Sequence, residues 1–222
     1  MGTVNRRVSR RFRAGLALGL LAVLIAGCDL FKPATPEVGG GGCTLHPSYT
    51  SPEDCLRYMQ IGIELKDDCG KEAYLGALAD TATDGRGFHA FFDLAVWNAY
   101  AATRPADWDL SLEGEFVSRF SQSYPYPYRM RWLEDPDYPI SNEDNGETTR
   151  IRHRRYEVWA LRQSAADSLL IAVGYAKLTF VNISASRWAL TLWEDRVDPN
   201  VGFPPTQYPD QQCFGHRRLD GR

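Results

Sequence analysis

The chain has no Cys-x-x-Cys pair, no cluster of histidines and no surplus of basic residues, and each absence removes a class of function. Its four histidines, His46, His89, His153 and His216, are scattered, and its five cysteines are widely spaced, so no zinc-type ligand set is present. Lysine and arginine number 25 against 28 acids, and five of those arginines fall in residues 1–13, which leaves no basic face for nucleic acid. The longest uninterrupted apolar run, residues 14–27, holds 14 residues, fewer than the roughly 20 of a spanning helix. Two acid-rich stretches lack the ligand order of an EF-hand. Residues 80–85 carry Ala82 at the third position with no closing glutamate, and residues 141–147 lack the opening aspartate, so both are ordinary turns. No nucleophile, metal or phosphate constellation is recognisable, and no cofactor is expected.

What is present begins with an address. Residues 1–13 carry positive charge without an acid, residues 14–27 are apolar, and the run closes on Ile25-Ala26-Gly27-Cys28. That order predicts a signal peptide over residues 1–27. Its last four residues resemble a bacterial lipobox, which implies that Cys28 is lipidated and becomes the mature N-terminus. Acyl chains, at about 0.8 kcal/mol per buried methylene, would then hold the protein to a membrane on the periplasmic side of the cell envelope. Asp29 resembles an inner-membrane retention signal and Arg10-Arg11-Phe12 a twin-arginine signal, and neither decides which membrane is used. Residues 28–42 include two prolines and four consecutive glycines, a composition that predicts a flexible tether. Residues 43–222 are then a single domain.

Four cysteines remain for that domain: Cys43, Cys55, Cys69 and Cys213. An even number in an exported protein predicts two disulfides, with three connectivities open. The expected set is Cys55–Cys69, clipping two successive helices, and Cys43–Cys213, tying the ends of the domain.

The first half of the domain reads as helical. Ser51-Pro52-Glu53-Asp54 supplies an N-cap, a proline at the first helical position and two acids at the positive end of the helix dipole. Leu56, Met59 and Ile63 follow at helical spacing. A second helix is predicted over residues 71–82, a third over 89–103 and a fourth over 111–122, where Leu112, Phe116 and Phe120 form an apolar stripe against Glu113, Glu115 and Arg119. The second half reads as strands: residues 129–133 after an extended YPYPY segment, then 149–162, 169–183, 187–197, and an edge strand at 213–219. The basic run 150–155 fits a solvated strand edge that discourages edge pairing. Residues 135–147 are expected to form a long polar loop.

The centre of the pattern is residues 169–197. Leu170, Ala172, Gly174, Ala176, Leu178 and Phe180 alternate onto one face, and Trp188, Leu190 and Leu192 do the same in the returning arm. Small residues on one face suit a sheet that bends around a helix. Helices first and antiparallel strands afterwards predict an α+β domain.

In that order, Ser51-Pro52-Glu53, Tyr74-x-x-x-Leu78-Ala79-Asp80, Trp108 with Glu113 and Phe116, Trp188-x-Leu-x-Leu-Trp193-Glu-Asp, and Phe214-Gly215 before basic residues are similar to the NTF2-like (SnoaL-like) lipoproteins of bacteria. The resemblance spans about residues 51–219. It implies a cone, with N-terminal helices packed on a strongly curved, mainly antiparallel sheet whose mouth can hold a small apolar ligand. Trp97, Tyr100, Trp159, Tyr175, Trp188 and Trp193 are the aromatic residues expected to line such a pocket. Three functions remain open: a non-catalytic ligand-binding or interaction module on a lipid tether, an isomerase- or hydrolase-type enzyme using a buried Asp80, Asp93 or Asp195, and a structural envelope protein pairing as a homodimer. Binding or interaction without catalysis is the expectation.

Overall fold

A computed structural model describes residues 43–134, 142–162, 168–198 and 212–220. The expected signal peptide, Cys28 and the tether lie outside them, as do residues 135–141, 163–167 and 199–211. Residues from Leu45 onward form one compact unit.

Helix α1, Pro52–Leu65, starts where the sequence places it, with Ser51 Oγ accepting from Asp54 N at 3.0 Å. Leu56, Met59 and Ile63 recur every three or four residues, and with Cys55 they are all buried. Lys66 ends the helix in the left-handed region. Helix α2, Asp68–Gly76, is capped by Asp67, and a short α3, Thr81–Asp84, is capped by Asp80. The single helix predicted over residues 71–82 is thus two, because Leu78 leaves the helix to bridge Leu190 of the sheet.

Residues 89–103 are not one helix. His89–Phe92 forms strand β1, and Asp93 then caps α4, Leu94–Ala99. Helix α5, Leu110–Gln122, follows as expected, its Asp109 cap accepting from Leu112 N at 3.0 Å. The remaining strands are β2 (Tyr128–Leu133), β3 (Glu143–Asn145), β4 (Thr149–Ala160), β5 (Leu169–Ser184) and β6 (Arg187–Arg196). Part of the expected polar loop is therefore strand β3, which pairs with the start of β4 around a turn at Gly146, whose φ is +73°.

Among the described residues the sheet runs β1-β6-β5-β4-β2, with β3 beside β4. Only the β1–β6 pair is parallel. Register shifts interrupt β4–β5 at Val158/Trp159 and β5–β6 at Thr179/Phe180, and such bulges bend a sheet. The expected α+β class, helices packed on a curved and mainly antiparallel sheet, is what forms.

The basic run 150–155 lies on β4, between β5 and the β2/β3 pair, so it is not a sheet edge. Arg152 and Arg154 are each only 9% exposed. They are retained by pairing: Arg152 donates to Glu53 at 2.7 Å and to Asp144 at 2.9 Å, and Arg154 donates to Asn142 at 2.8 Å.

The expected terminal strand is also different. Phe214–Leu219 is helix α6, with Cys213 at its N-cap position. A strand there would have left Phe214, Arg218 and Leu219 pointing to two faces, whereas one short helix buries all three.

Neither expected disulfide pairing occurs. Cys43 and Cys69 are disulfide-bonded, whereas Cys55 and Cys213 are free and buried. Cys55 lies on the inner face of α1, its Sγ 3.3 Å from the Trp188 carbonyl oxygen, and Cys69 is half-buried at the start of α2. The two side chains serve different environments.

Candidate functional site

The interior between α5 and the sheet is where buried polar chemistry concentrates, and α6 enters it. Phe214 is fully buried and stacks on Tyr156 with ring centroids 4.7 Å apart, while Phe116, Phe120 and Trp193 approach it edge-on at 5.6–5.7 Å. The first turn of α6 meets two polar groups of the sheet. Phe214 N donates to Tyr156 Oη at 2.7 Å and Gly215 N donates to Asp195 Oδ2 at 2.6 Å. Backbone and side chain reach so close here that a Cβ at Gly215 would sit 3.0 Å from Asp195 Oδ2.

Asp195 is 2% exposed and collects donors from three elements. Tyr156 Oη donates to Oδ1 at 2.7 Å and Trp193 Nε1 at 3.2 Å, with Gly215 N on the other oxygen. Burial pushes its carboxyl above the usual carboxylate range, against the opposing pull of Arg218 and these donors. Cys213 lies beside it, its Sγ 3.2 Å from His216 Nδ1, and burial pushes that thiol well up. A thiol held protonated in this way is a poor nucleophile.

A second buried pair sits deeper. Arg218 and Glu113 are both completely buried, and the guanidinium meets the carboxylate through two hydrogen bonds, Nε to Oε2 at 2.8 Å and Nη2 to Oε1 at 2.7 Å. Tyr74 Oη and Trp108 Nε1 donate to the same carboxylate at 2.6 and 2.7 Å. The ring of Trp193 lies 4.3 Å from the guanidinium carbon.

None of the three aspartates offered as catalytic carboxylates is both activated and accessible. Asp80 and Asp93 are helix caps, accepting from Ala82 N and Ala95 N at 2.9 Å. Asp195 has the raised pKa and the tyrosine that acid–base chemistry needs, but the chain's own α6 covers both groups.

Among the described residues the six expected pocket aromatics make separate contacts. Trp193 is in the core and Trp188 lies near the start of β6 beneath Arg150, 5.4 Å from its guanidinium. Tyr175 is buried on the opposite face of β5 from Ala176. Trp159 donates to Glu157 at 3.1 Å, Trp97 stacks on Phe92 at 5.8 Å, and Tyr100 donates to Asp220. One cleft among the described residues lies elsewhere. It is an open hollow of about 560 Å³ at the β1 edge, lined by Arg86, Gly87, His89, Phe91, Asp107, Thr191 and Leu192. His89 Nδ1 is 3.0 Å from Asp107, and Phe91 and nearby Leu94 are 58% and 71% exposed.

Glu113, Tyr156 and Arg218 were not among the sequence candidates. A signal for Glu113 existed: it shares the i, i+3, i+4, i+7 positions with Phe116, Val117 and Phe120, which places a carboxylate on the apolar stripe. Arg218 had no such signal in a segment of six residues. Among the described residues no group of three or more His, Cys, Asp and Glu could hold a metal ion.

No protein-family model matches the chain, and no curated protein matches it. Solved structures do. A protein of unknown function from Mycobacterium tuberculosis is similar at 11% identity and a TM-score of 0.49, over 75% of this chain and 83% of that one. An NTF2-like superfamily protein from Salmonella enterica serovar Typhimurium is similar at 10% identity and a TM-score of 0.43, over 67% of this chain and 89% of that one. An NTF2-like protein of unknown function from Pseudomonas putida is similar at 8% identity and a TM-score of 0.42, over 65% of this chain and 84% of that one.

Proposed function

We propose that the protein is a lipid-tethered module of the bacterial cell envelope that works by binding a partner at its surface, without catalysis and without a small ligand in its interior. The observation that carries this reading is α6. Phe214, Arg218 and Leu219 pack between α5 and the sheet and are at most 1% exposed, so the chain's own side chains take up that space. Recognition then falls to the surface, where the β1 edge presents Phe91 and Leu94 beside a cleft carrying Arg86 and His89. Exposed large apolar side chains grouped in this way suit a protein contact.

The tether is read from residues 1–42. In bacteria grown with labelled palmitate, the full chain should carry label and Cys28→Ala should lose it; label on both, or on neither, would overturn the lipid anchor. Native mass spectrometry of the detergent-solubilised chain tests the closed interior. The polypeptide and its acyl groups should account for the whole mass, and a further small molecule released on denaturation would overturn the reading in favour of an internal ligand site. A homodimer in the same spectrum would identify the partner as a second copy.

A further inference from the structure

The buried ion pair has the geometry of a receptor and its ligand. Glu113 belongs to α5, and the groups that orient its carboxylate, Tyr74 of α2 and Trp108 just before α5, are independent of α6. They take one position on each oxygen, which leaves the outer edge of the carboxylate facing the interior. A guanidinium matches that edge with two parallel N–H groups, and Arg218 supplies them from Nε and Nη2 at 2.8 and 2.7 Å. Aromatic rings close the site on its faces: Trp193 at 4.3 Å, Phe116 at 5.3 Å and Phe214 at 5.6 Å from the guanidinium carbon. Nη1 is buried and has no hydrogen-bond partner among the described residues, so the contacts described there run through the two-pronged edge.

Everything that recognises the cation, except Phe214, therefore lies outside α6. We infer that Glu113, Tyr74, Trp108, Trp193 and Phe116 form a guanidinium-binding site which the chain occupies with its own Arg218, and which accepts a small guanidinium or amidinium compound once that side chain is removed. This deepens the reading of a closed interior, because it names the chemistry that closes it. A compact ammonium lacks the second parallel N–H, and urea has the shape without the charge.

The test is chemical replacement in the full chain. Arg218→Ala is compared with the wild type by thermal unfolding and by yield on refolding from urea, each with 10 mM ethylguanidinium, acetamidinium, ethylammonium or added urea. Ethylguanidinium and acetamidinium should stabilise Arg218→Ala selectively. For a Kd of about 1 mM the folding equilibrium constant rises about tenfold at 10 mM. The wild type, whose site is occupied, should not respond, and Glu113→Gln combined with Arg218→Ala should lose the response. If Arg218→Ala folds poorly, the refolding yield carries the result, and Arg218→Met, which keeps more of the apolar volume, is run beside it. Equal stability and equal yield with and without ethylguanidinium in both variants would overturn the proposal, as would an equal response to ethylammonium. That failure would leave the native mass unchanged, whereas a co-purifying molecule in the wild type would overturn the closed interior while the replacement experiment still read out.

Discussion

His153 and His216 are the residues through which acid should reach this fold. Burial is the largest influence on both and lowers their affinity for a proton, with Lys177 and Arg196 adding to the effect at His153 and Arg217 at His216, against Glu143, Glu194, Asp220 and Asp93. The folded state therefore binds fewer protons than the unfolded chain, whose histidines titrate near pH 6.5. Their stabilising contribution is complete above that pH and is lost as the pH falls through it towards the lower folded values. The urea midpoint should be lower at pH 5.5 than at pH 7.5, and His153→Gln/His216→Gln should show a smaller difference; an unchanged difference would mean that other groups carry it. Asp195 acts in the opposite sense, since its raised pKa favours the protonated fold and removes stability as the pH rises above about 4. Comparing variant and wild type at each pH separates the two. At the scale of single residues the sequence was legible where one local rule sufficed, as at the Ser51 cap. It was misread at Glu113, because a carboxylate on an apolar stripe makes sense only once a buried cation from 105 positions away is known.

The elements are held by close backbone approaches as much as by apolar stripes. Helices α1 and α2 meet at Gly62 and Gly70, where a Cβ on Gly62 would lie 2.5 Å from Gly70 O and 2.6 Å from Tyr74 Cβ. Gly62→Ala should force α2 outward and disturb the tyrosine that orients Glu113, at a cost of about 1–3 kcal/mol; denaturant unfolding at neutral pH measures it, and a neutral effect would show slack in the helix pair. Elements with a cap and a long periodic stripe, α1 and α5, were readable in advance. So were β4, β5 and β6, each of which runs for ten or more residues. The short segments were not. HAFF and FGHRRL each have too few residues for a period to assert itself. Pairing with β6 made the first a strand, and the space beside Tyr156 made the second a helix.

For the molecule as a whole, the cysteines give a direct test of the architecture. Alkylation of the native chain without reductant should spare Cys55 and Cys213, since both are at most 1% exposed and burial pushes the Cys55 thiol up to about 12. In denaturant, still without reductant, peptide mapping should find those two alkylated, with Cys43 and Cys69 blocked until reduction. Alkylation of Cys43 or Cys69 before reduction would contradict the bonding. The sequence by itself determined the α+β class, the helices α1 and α5 and the β5–β6 hairpin, because these depend on local propensity and on apolar periods that each segment carries alone. Tertiary structure decided which cysteines bond, which strand lies inside the sheet and what occupies the interior. Those outcomes depend on distances between residues far apart in the chain. Arg218 is silent as a member of a basic hexapeptide, and becomes the central cation of the core only when folding sets it against Glu113.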